Sequence, residues 1–358
     1  MKNIFRKWRK SSPDAPDTAS EEDERPRREG SALGRSQQPS QPRARHTKQT
    51  FRVQGIPTHW KLVPTMLKRA LQGHFGIRDI LAVHVNSIAA ESHHRSCTAT
   101  ITFDNVPSQL EALKNGSAWV APPGAIPSYS RRPTLTIDKD FWGITTLAAP
   151  TDSLVDIIAI SGLGGHAFGS FKERGGEHMW LRDALPRDLN GRRSMGVASV
   201  MVYGYDSSLP LSNSFQGLDD LARSFYNSLQ NNQGDGSATR PIIFVAHSLG
   251  GLIVKELLIL LSKSGPGFGQ NLFRAIDSIV FFGVPNHGMD ITSLMPIVQD
   301  GPNRALVESL ANDSQALREQ DEVFSDIVGD DVEIVCFYET LQSPTAIQVR
   351  SIQPAQPL

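Results

Sequence analysis

Five uninterrupted apolar runs in the second half of the chain limit its fold more than any other feature. They occupy residues 155–161, 198–203, 241–246, 276–283 and 332–338. Strands without a polar face are buried on both sides, and strands that alternate with helices form a parallel sheet covered by those helices. Helical spacing lies between the runs, at residues 180–189, 218–229, 252–263 and 305–310. The pattern therefore predicts an α/β domain of three layers.

A buried strand, a tight turn and a helix follow one another around Ser248. The stretch reads IIFVAHSLGGLIVK, which has the strand–turn–helix context of the G-x-S-x-G nucleophile elbow in α/β-hydrolases. Small residues two positions before and after the serine let the strand and the helix approach. Gly250 meets this need, and Ala246 adds only a methyl group. The sequence therefore predicts Ser248 as a nucleophile whose hydroxyl stands clear of the sheet.

The loop after the first apolar run is the second candidate site, and it reads SGLGGH at residues 161–166. In α/β-hydrolases one oxyanion-binding amide comes from an early loop and the other from the residue after the nucleophile. We therefore expect the amides of Leu163 and Leu249 to bind the oxyanion, with Gly162 and Gly164 allowing the close approach. One such donor lowers the barrier by about 3–4 kcal/mol.

The same loop also fits the dinucleotide-binding pattern G-x-G-x-x-A through Gly162, Gly164 and Ala167. That interpretation needs an acidic residue at the end of the next strand, about 20 residues further on. Asp183 stands at this distance, but the surrounding WLRDALPRDL has helical spacing. No cofactor is expected, and two cysteines do not make a cysteine-rich metal site, so no metal is expected either.

A serine hydrolase also needs an acid and then a histidine further along the chain. Glu339 ends the last apolar run and is the predicted acid, with Asp290 after the preceding run as the alternative. The last of the ten histidines is His287, which precedes both acids, and His247 adjoins the nucleophile. The base is not found in the sequence, and a serine without a base is a poor nucleophile.

Residues 1–50 are predicted to be a disordered basic leader. They carry twelve Lys and Arg against seven Asp and Glu, whereas the rest of the chain is negative. Their few large apolar side chains cannot offset the entropy of ordering the segment. The first ten, MKNIFRKWRK, combine basic and apolar side chains, which favours contact with an anionic membrane surface. The negative remainder argues against a nucleic-acid partner.

Residues 51–137 predict a small α+β module in the order β-α-β-β-α-β of ferredoxin-like and RRM-like folds. The strands are expected at 51–56, 80–88, 97–103 and 134–137, and the helices at 62–71 and 109–115. An RNA-binding RRM needs a basic residue, a glycine and stacked aromatics on its third strand. Here that strand reads CTATITF, with only Phe103 present. We therefore expect contact with a protein partner rather than with RNA.

Seven stretches carry a resemblance to a known family: IDKDFWGITTLAAP, VDIIAISGLGGHAFGSF, MWLRDALPRDL, SVMVYGYDSS, FVAHSLGGLIVKELL, IVFFGVPNHGMD and FYET. Residues 136–342 resemble the serine-active-site-containing (SERAC-like) lipase and esterase family of α/β-hydrolases. The resemblance implies chemistry on acyl or lipid esters at Ser248. It also implies an intracellular location, in the cytoplasm or at the mitochondrial or endoplasmic reticulum membrane. The family's first loop has a histidine where this chain has Ser161.

Beyond FYET the family continues to a segment with the catalytic histidine, whereas residues 341–358 are polar and rich in proline. The predicted organisation is a leader at 1–50, the RRM-like module at 51–137, a C-terminally incomplete hydrolase domain at 138–342 and a tail at 343–358. Two functions stay open. One is a serine ester hydrolase, and the other is a catalytically inactive pseudo-hydrolase that serves as a protein-interaction or sensor module.

Overall fold

The computed structural model describes residues 48–122, 134–190, 197–209, 212, 214–232, 240–329, 331–338 and 340. Glu339, the tail at 343–358 and the first 47 residues of the predicted leader lie outside these residues. The described residues all belong to one compact unit.

Eleven strands are present in the described part of the chain. They are β1 (Thr50–Ile56), β2 (Val83–Ala90), β3 (Cys97–Phe103), β4 (Trp119–Val120), β5 (Thr136–Asp138), β6 (Gly143–Ala148), β7 (Val155–Ile160), β8 (Ala198–Gly204), β9 (Ile242–His247), β10 (Ile276–Phe282) and β11 (Glu333–Phe337). They form two sheets. The first has the order β2-β3-β1-β5-β4, and the second has the order β11-β10-β9-β7-β8-β6.

The described helices lie between strands of both sheets, α1 and α2 in the first and the others in the second. They are α1 (Pro64–Phe75), α2 (Ser108–Glu111), α3 (Trp180–Asp183), α4 (Leu185–Asn190), α5 (Leu218–Asn232), α6 (Leu249–Ser262), α7 (Phe268–Ala275), α8 (Met295–Val298), α9 (Arg304–Ser309) and α10 (Gln315–Ile327). No helix within the described ranges is long and apolar enough to pass through a membrane.

The second sheet is parallel except at one edge, where β6 runs antiparallel to β8. Its other neighbours pair in parallel, and β7 to β11 coincide with the five predicted runs. Alternate residues of β7 face opposite sides of the sheet. Ile158 and Ile160 pack in a core with α5, α6 and α10, whereas Ile157 and Ala159 pack in another that includes α3. The predicted three-layer α/β architecture is confirmed.

The predicted helix at 180–189 is in fact two short helices, α3 and α4. Pro186 explains the break, because proline has no amide hydrogen to donate to the carbonyl of Arg182, four residues before it. The structure also contains β6, α7 and α10, which were not predicted. The strand expected from residue 80 starts at Val83, after a 3-10 turn in which the Asp79 side chain accepts from the Leu81 amide at 2.8 Å.

The first sheet is antiparallel throughout, with β1 between β3 and β5. β1, α1, β2, β3, α2 and β5 follow in the expected order, but α2 has a single turn, and the short β4 adds an edge strand. Phe51, Ile101 and Ile137 contribute to its fully buried core. The relation of this unit to RRM-like domains stays a prediction.

A buried arginine joins the two sheets. Arg52 on β1 donates from Nε to Asp138 Oδ2 on β5 at 2.7 Å. Its Nη1 donates to Thr145 Oγ1 on β6 at 2.9 Å and to the Trp142 carbonyl at 2.8 Å. Arg52 and Asp138 are about 5% and 6% exposed, so the ion pair is shielded from water. The predicted boundary between residues 137 and 138 falls inside β5.

Candidate active site

The strand order of the second sheet reverses between β7 and β9. β8 lies on one side of β7, and β9 lies on the other. In open α/β sheets, ligands bind outside the carboxyl ends of the strands at such a reversal. The segments that leave β7 and β9 at this edge are the glycine loop at 161–166 and the turn at Ser248. The topology therefore brings the two strongest sequence motifs to one place.

Ser248 occupies a strained turn between β9 and α6. Its backbone has φ +52° and ψ −124°. Residues other than glycine seldom adopt this conformation, which costs them about 1–3 kcal/mol. The turn is held because the Ser248 amide donates to the Phe282 carbonyl at 2.9 Å, while the Ser248 carbonyl accepts from the Gly251 amide at 2.9 Å. The predicted strand–turn–helix context is present, and Ser248 is half-buried.

Two glycines are required by close contacts around this turn. A Cβ atom on Gly250 would lie 2.7 Å from the Ser161 carbonyl oxygen, so only glycine lets α6 approach the end of β7. A Cβ on Gly162 would lie 2.7 Å from the Cβ of Ser248. The backbone of the glycine loop therefore touches the predicted nucleophile.

The two predicted oxyanion amides belong to Leu163 and Leu249, the residues that directly follow Gly162 and Ser248. In the loop, the Gly164 amide donates to the Ser207 carbonyl at 2.7 Å and the Gly165 amide donates to the Gly162 carbonyl at 3.0 Å. The Leu163 amide has no hydrogen-bond partner within the described residues. Leu249 is the first residue of α6, where no preceding turn supplies a carbonyl. Both amides are thus free to bind a ligand oxygen.

His166, the last residue of the loop motif, is committed to structural hydrogen bonds. Its Nδ1 accepts from the amides of Phe168 and Gly169 at 3.1 and 2.9 Å. A ring nitrogen that accepts carries no proton, so Nε2 is protonated and donates to the Lys139 carbonyl at 2.7 Å. Because both nitrogens are occupied, His166 is not available as a general base.

The alternative acid, Asp290, is exposed on the loop after β10. Its carboxylate accepts from the amide of Thr292 at 2.9 Å and from the Thr292 hydroxyl. The hydroxyl bond is the main reason why the pKa of Asp290 lies below its ordinary value. His287 is exposed nearby, with its carbonyl accepting from the Asp313 amide at 3.1 Å, and Glu339 lies outside the described residues.

The dinucleotide interpretation of the loop lacks its acidic residue. Asp183 lies on α3 rather than at the end of β8, and it accepts from Arg182 Nε at 2.6 Å and from the Met179 amide at 2.8 Å. The carboxylate that would have to bind a ribose is therefore used within its own helix. No group of three or more potential metal ligands occurs in the described ranges.

A small cleft adjoins Leu163, and the sequence did not predict it. Its volume is about 10 Å³, room for about one water molecule. Its polar lining includes Asp206, Ser207, Ser212 and Asn303. The segment after β8 was visible in the sequence only as the end of an apolar run followed by polar residues, and nothing in that pattern indicates which loop it contacts.

Comparison with known proteins supports the predicted resemblance to the SERAC-like family. The chain is 27% identical to Protein SERAC1 of Danio rerio over an alignment of 217 residues that covers 54% of this chain and 31% of that protein. It is 25% identical to Protein SERAC1 of Homo sapiens over 218 residues, with the same shares. The match therefore spans less than a third of the length of these relatives. The resemblance is confirmed, and no family model matches the chain.

Solved structures of two hydrolases show distant similarity. For phospholipase PlaB from Legionella pneumophila in complex with thio-NAD, the identity is 18% and the TM-score 0.37, covering 51% of this chain and 37% of that chain. For the mature form of Bacillus licheniformis lipase BlEst2, the identity is 16% and the TM-score 0.33, covering 49% of this chain and 62% of that chain.

Proposed function

We propose that the chain carries a serine hydrolase-type domain that cleaves or transfers acyl esters through Ser248. One observation carries the proposal: Ser248 has a left-handed backbone at the carboxyl end of β9, directly against Gly162. A strained turn of this kind is kept where the surrounding structure over-determines it, and such turns cluster at active sites. The free amides of Leu163 and Leu249 support the same interpretation.

The reaction would proceed by acyl transfer. Ser248 Oγ attacks the ester carbonyl carbon, and the resulting oxyanion binds the amides of Leu163 and Leu249. The carbon–oxygen bond to the alcohol then breaks, and a base transfers the proton of Ser248 to the leaving alcohol. Water cleaves the acyl-serine by the same steps in reverse order. The acid in this proposal is Glu339, or Asp290 in its place.

The substrate class and the location are also proposals, and they rest on the SERAC-like resemblance. The substrate is an acyl or lipid ester, and the protein works inside the cell, in the cytoplasm or at a mitochondrial or endoplasmic reticulum membrane that residues 1–10 contact. The match covers about a third of the length of these relatives, so the activity of the whole relatives applies to this chain as a proposal. Fractionation of cells that express the full chain, compared with a chain lacking residues 1–10, tests the membrane contact.

The second candidate function is a pseudo-hydrolase that binds partners without turnover, with residues 51–137 as a contact region. The commitment of both His166 nitrogens favours it. The described histidine–carboxylate pairs join His84 to Asp104, His93 to Glu91 and His178 to Asp183. None of these six residues belongs to the turn at Ser248 or to the glycine loop.

Labelling with a fluorophosphonate, which reacts with activated serines, distinguishes the two functions. We expect the full-length protein to be labelled at neutral pH and Ser248→Ala to be unlabelled. Ser325→Ala is the matched control, because Ser325 is an exposed serine whose hydroxyl only donates to the Asp321 carbonyl at 2.8 Å. Absence of labelling in the folded wild-type protein would refute the hydrolase and leave the pseudo-hydrolase.

A further inference from the structure

Three hydrogen bonds hold the glycine loop from one side. The Tyr205 hydroxyl donates to the Ser161 carbonyl at 2.9 Å. The Ser207 carbonyl accepts from the Gly164 amide at 2.7 Å, and the Ser207 hydroxyl donates to the Gly165 carbonyl. Residues 205–207, which follow β8 directly, thus bind the loop at three of its positions.

Among the amides of Leu163, Gly164 and Gly165, one has no hydrogen-bond partner in the described residues. The amides of Gly164 and Gly165 are both used, whereas that of Leu163 is not. The pattern of bonds therefore fixes the peptide groups before and after Leu163 without occupying its N–H. An oxyanion donor needs this arrangement, because it acts through a hydrogen bond that is aimed in advance at the reacting oxygen.

The Tyr205 ring is itself immobilised. Tyr205 is about 8% exposed, and its ring stacks on that of Tyr203 at 6.1 Å, which in turn stacks on Phe225 at 4.2 Å. Burial raises the pKa of Tyr205 above its ordinary value, so the hydroxyl keeps its proton and remains a donor at neutral pH. The loop is thus tied to the rigid core of the second sheet.

The rest of the segment is anchored by a residue from another part of the chain. Asn303, the buried residue that precedes α9, donates from Nδ2 to the carbonyls of Ser208 and Leu209 at 2.9 and 3.0 Å. Leu209 in turn lies 3.5 Å from the position of a Cβ on Gly164. The segment that holds the loop is therefore held in place by α9.

We propose that Tyr205 and Ser207 are positioning residues, which set the Leu163 amide in the orientation that an oxyanion-binding donor requires. This inference rests on the proposed function of Ser248. It means that residues 205–207 orient the oxyanion-binding amide, although none of their atoms takes part in the reaction. Their loss lowers the rate of acyl transfer to Ser248 and leaves the affinity for the ester unchanged.

The test compares Tyr205→Phe with Tyr203→Phe in the full-length protein. Both substitutions remove one hydroxyl from the same aromatic stack, but of the two only the Tyr205 hydroxyl donates to the glycine loop. We expect Tyr205→Phe to lower the rate of fluorophosphonate labelling at Ser248 about tenfold, below the roughly 10²–10³-fold loss for removing an oxyanion donor outright. Hydrolysis of a p-nitrophenyl ester should show the loss in kcat, with KM unchanged.

Ser207→Ala is tested in the same way against Ser212→Ala. Ser212 is a buried serine of the same cleft, and the described hydrogen bond of its hydroxyl is accepted from the Ser214 amide at 3.1 Å rather than made to the loop. Amide hydrogen exchange adds a readout that needs no activity. We expect the peptide that contains residues 161–166 to exchange faster in Tyr205→Phe and Ser207→Ala than in their controls.

The outcomes separate this inference from the proposed function. A wild-type protein that is labelled at Ser248, with Tyr205→Phe and Tyr203→Phe reacting at equal rates, overturns the positioning role and keeps the nucleophile. An unlabelled wild-type protein overturns the nucleophile and with it the positioning role in catalysis. Unchanged exchange of the loop in both variants overturns the claim that the segment holds it.

Discussion

At the residue scale, the contact between Gly162 and Ser248 leaves no room for a side chain at position 162. We predict that Gly162→Ala slows the reaction of Ser248 by roughly 10²-fold, because the added methyl displaces the loop and a misplacement of about 1 Å can cost this much. The rate of fluorophosphonate labelling measures the effect. Gly73→Ala is the control, since a Cβ at this helical position meets no atom within 4 Å. Equal rates for the two variants would contradict the contact.

Asp156 at the start of β7 makes the stability of the domain depend on pH. Burial raises the pKa of this carboxyl above its ordinary value of 3.8, although Arg240 at 3.0 Å opposes the shift. A raised pKa means that the folded state binds more protons than the unfolded state, so this contribution to stability falls as the pH rises through 3.8 and the folded pKa.

We therefore predict that the difference in the free energy of unfolding between the wild type and Asp156→Asn falls as the pH rises from 3 to 6. Asparagine has no proton to lose, so the variant lacks this part of the pH dependence. Urea unfolding at several pH values measures it. If this difference in the free energy of unfolding instead grows with pH, the attraction of Arg240 lowers the pKa of Asp156 by more than burial raises it, and the prediction is wrong.

The residues of the candidate site differed in how far the sequence could predict them. Ser248 and Gly162 lie in short motifs whose geometry depends on their immediate neighbours, and in the structure they occupy the turn before α6 and the loop after β7. Tyr205 and Ser207 were missed because their contacts join residues 44 and 42 positions apart. No local pattern encodes such a contact. It arises only when β7 and β8 pair side by side.

At the scale of elements, strands were predicted more accurately than helices. Uninterrupted apolar runs identify buried strands, and β7 to β11 agree with them to within two residues. β6 was missed because GITTLA has two threonines among its six residues, and the sequence pattern does not show that both are buried. The helix α10 was missed because QALREQDEVFSDI is largely polar, with its apolar positions confined to one buried face.

The ion pair that links β1 to β5 and β6 gives a prediction at this scale. We expect Asp138→Asn to lower the free energy of unfolding by about 3–5 kcal/mol, because it leaves the buried Arg52 guanidinium without its counter-charge. Glu308→Gln is the control, since the Arg304–Glu308 pair is exposed and such pairs contribute about 0.3–0.5 kcal/mol. Urea unfolding measures both, and equal losses would contradict the importance of burial.

The whole molecule has an apolar sheet edge at β11 in its described part. Ile334 and Phe337 are 39% and 51% exposed, and unpaired edge strands of this kind promote association between chains. We predict that the full chain self-associates with rising concentration and that Ile334→Lys reduces this. Leu154→Lys is the control, because Leu154 is also exposed but lies outside the strands. Light scattering measures the molar mass, and a wild type that stays monomeric would contradict the prediction.

The three-layer architecture could be predicted because it follows from the alternation of apolar runs and helices alone. The association of the two sheets could not, since it depends on Arg52 meeting Asp138 and Thr145, which are 86 and 93 positions away in the sequence. An arginine in a strand otherwise indicates a solvated side chain. The burial of Arg52 can be explained only in the folded protein, where Asp138, Trp142 and Thr145 all accept hydrogen bonds from its guanidinium.

The arginine that joins the sheets also has a practical consequence for anyone who divides this chain into fragments. A cut before residue 138 would place Arg52 in one fragment and Asp138 in the other. Each fragment would then expose to water a charged side chain that is buried in the intact protein. A fragment should therefore contain the whole of residues 50–148, so that Arg52 and Asp138 belong to the same polypeptide.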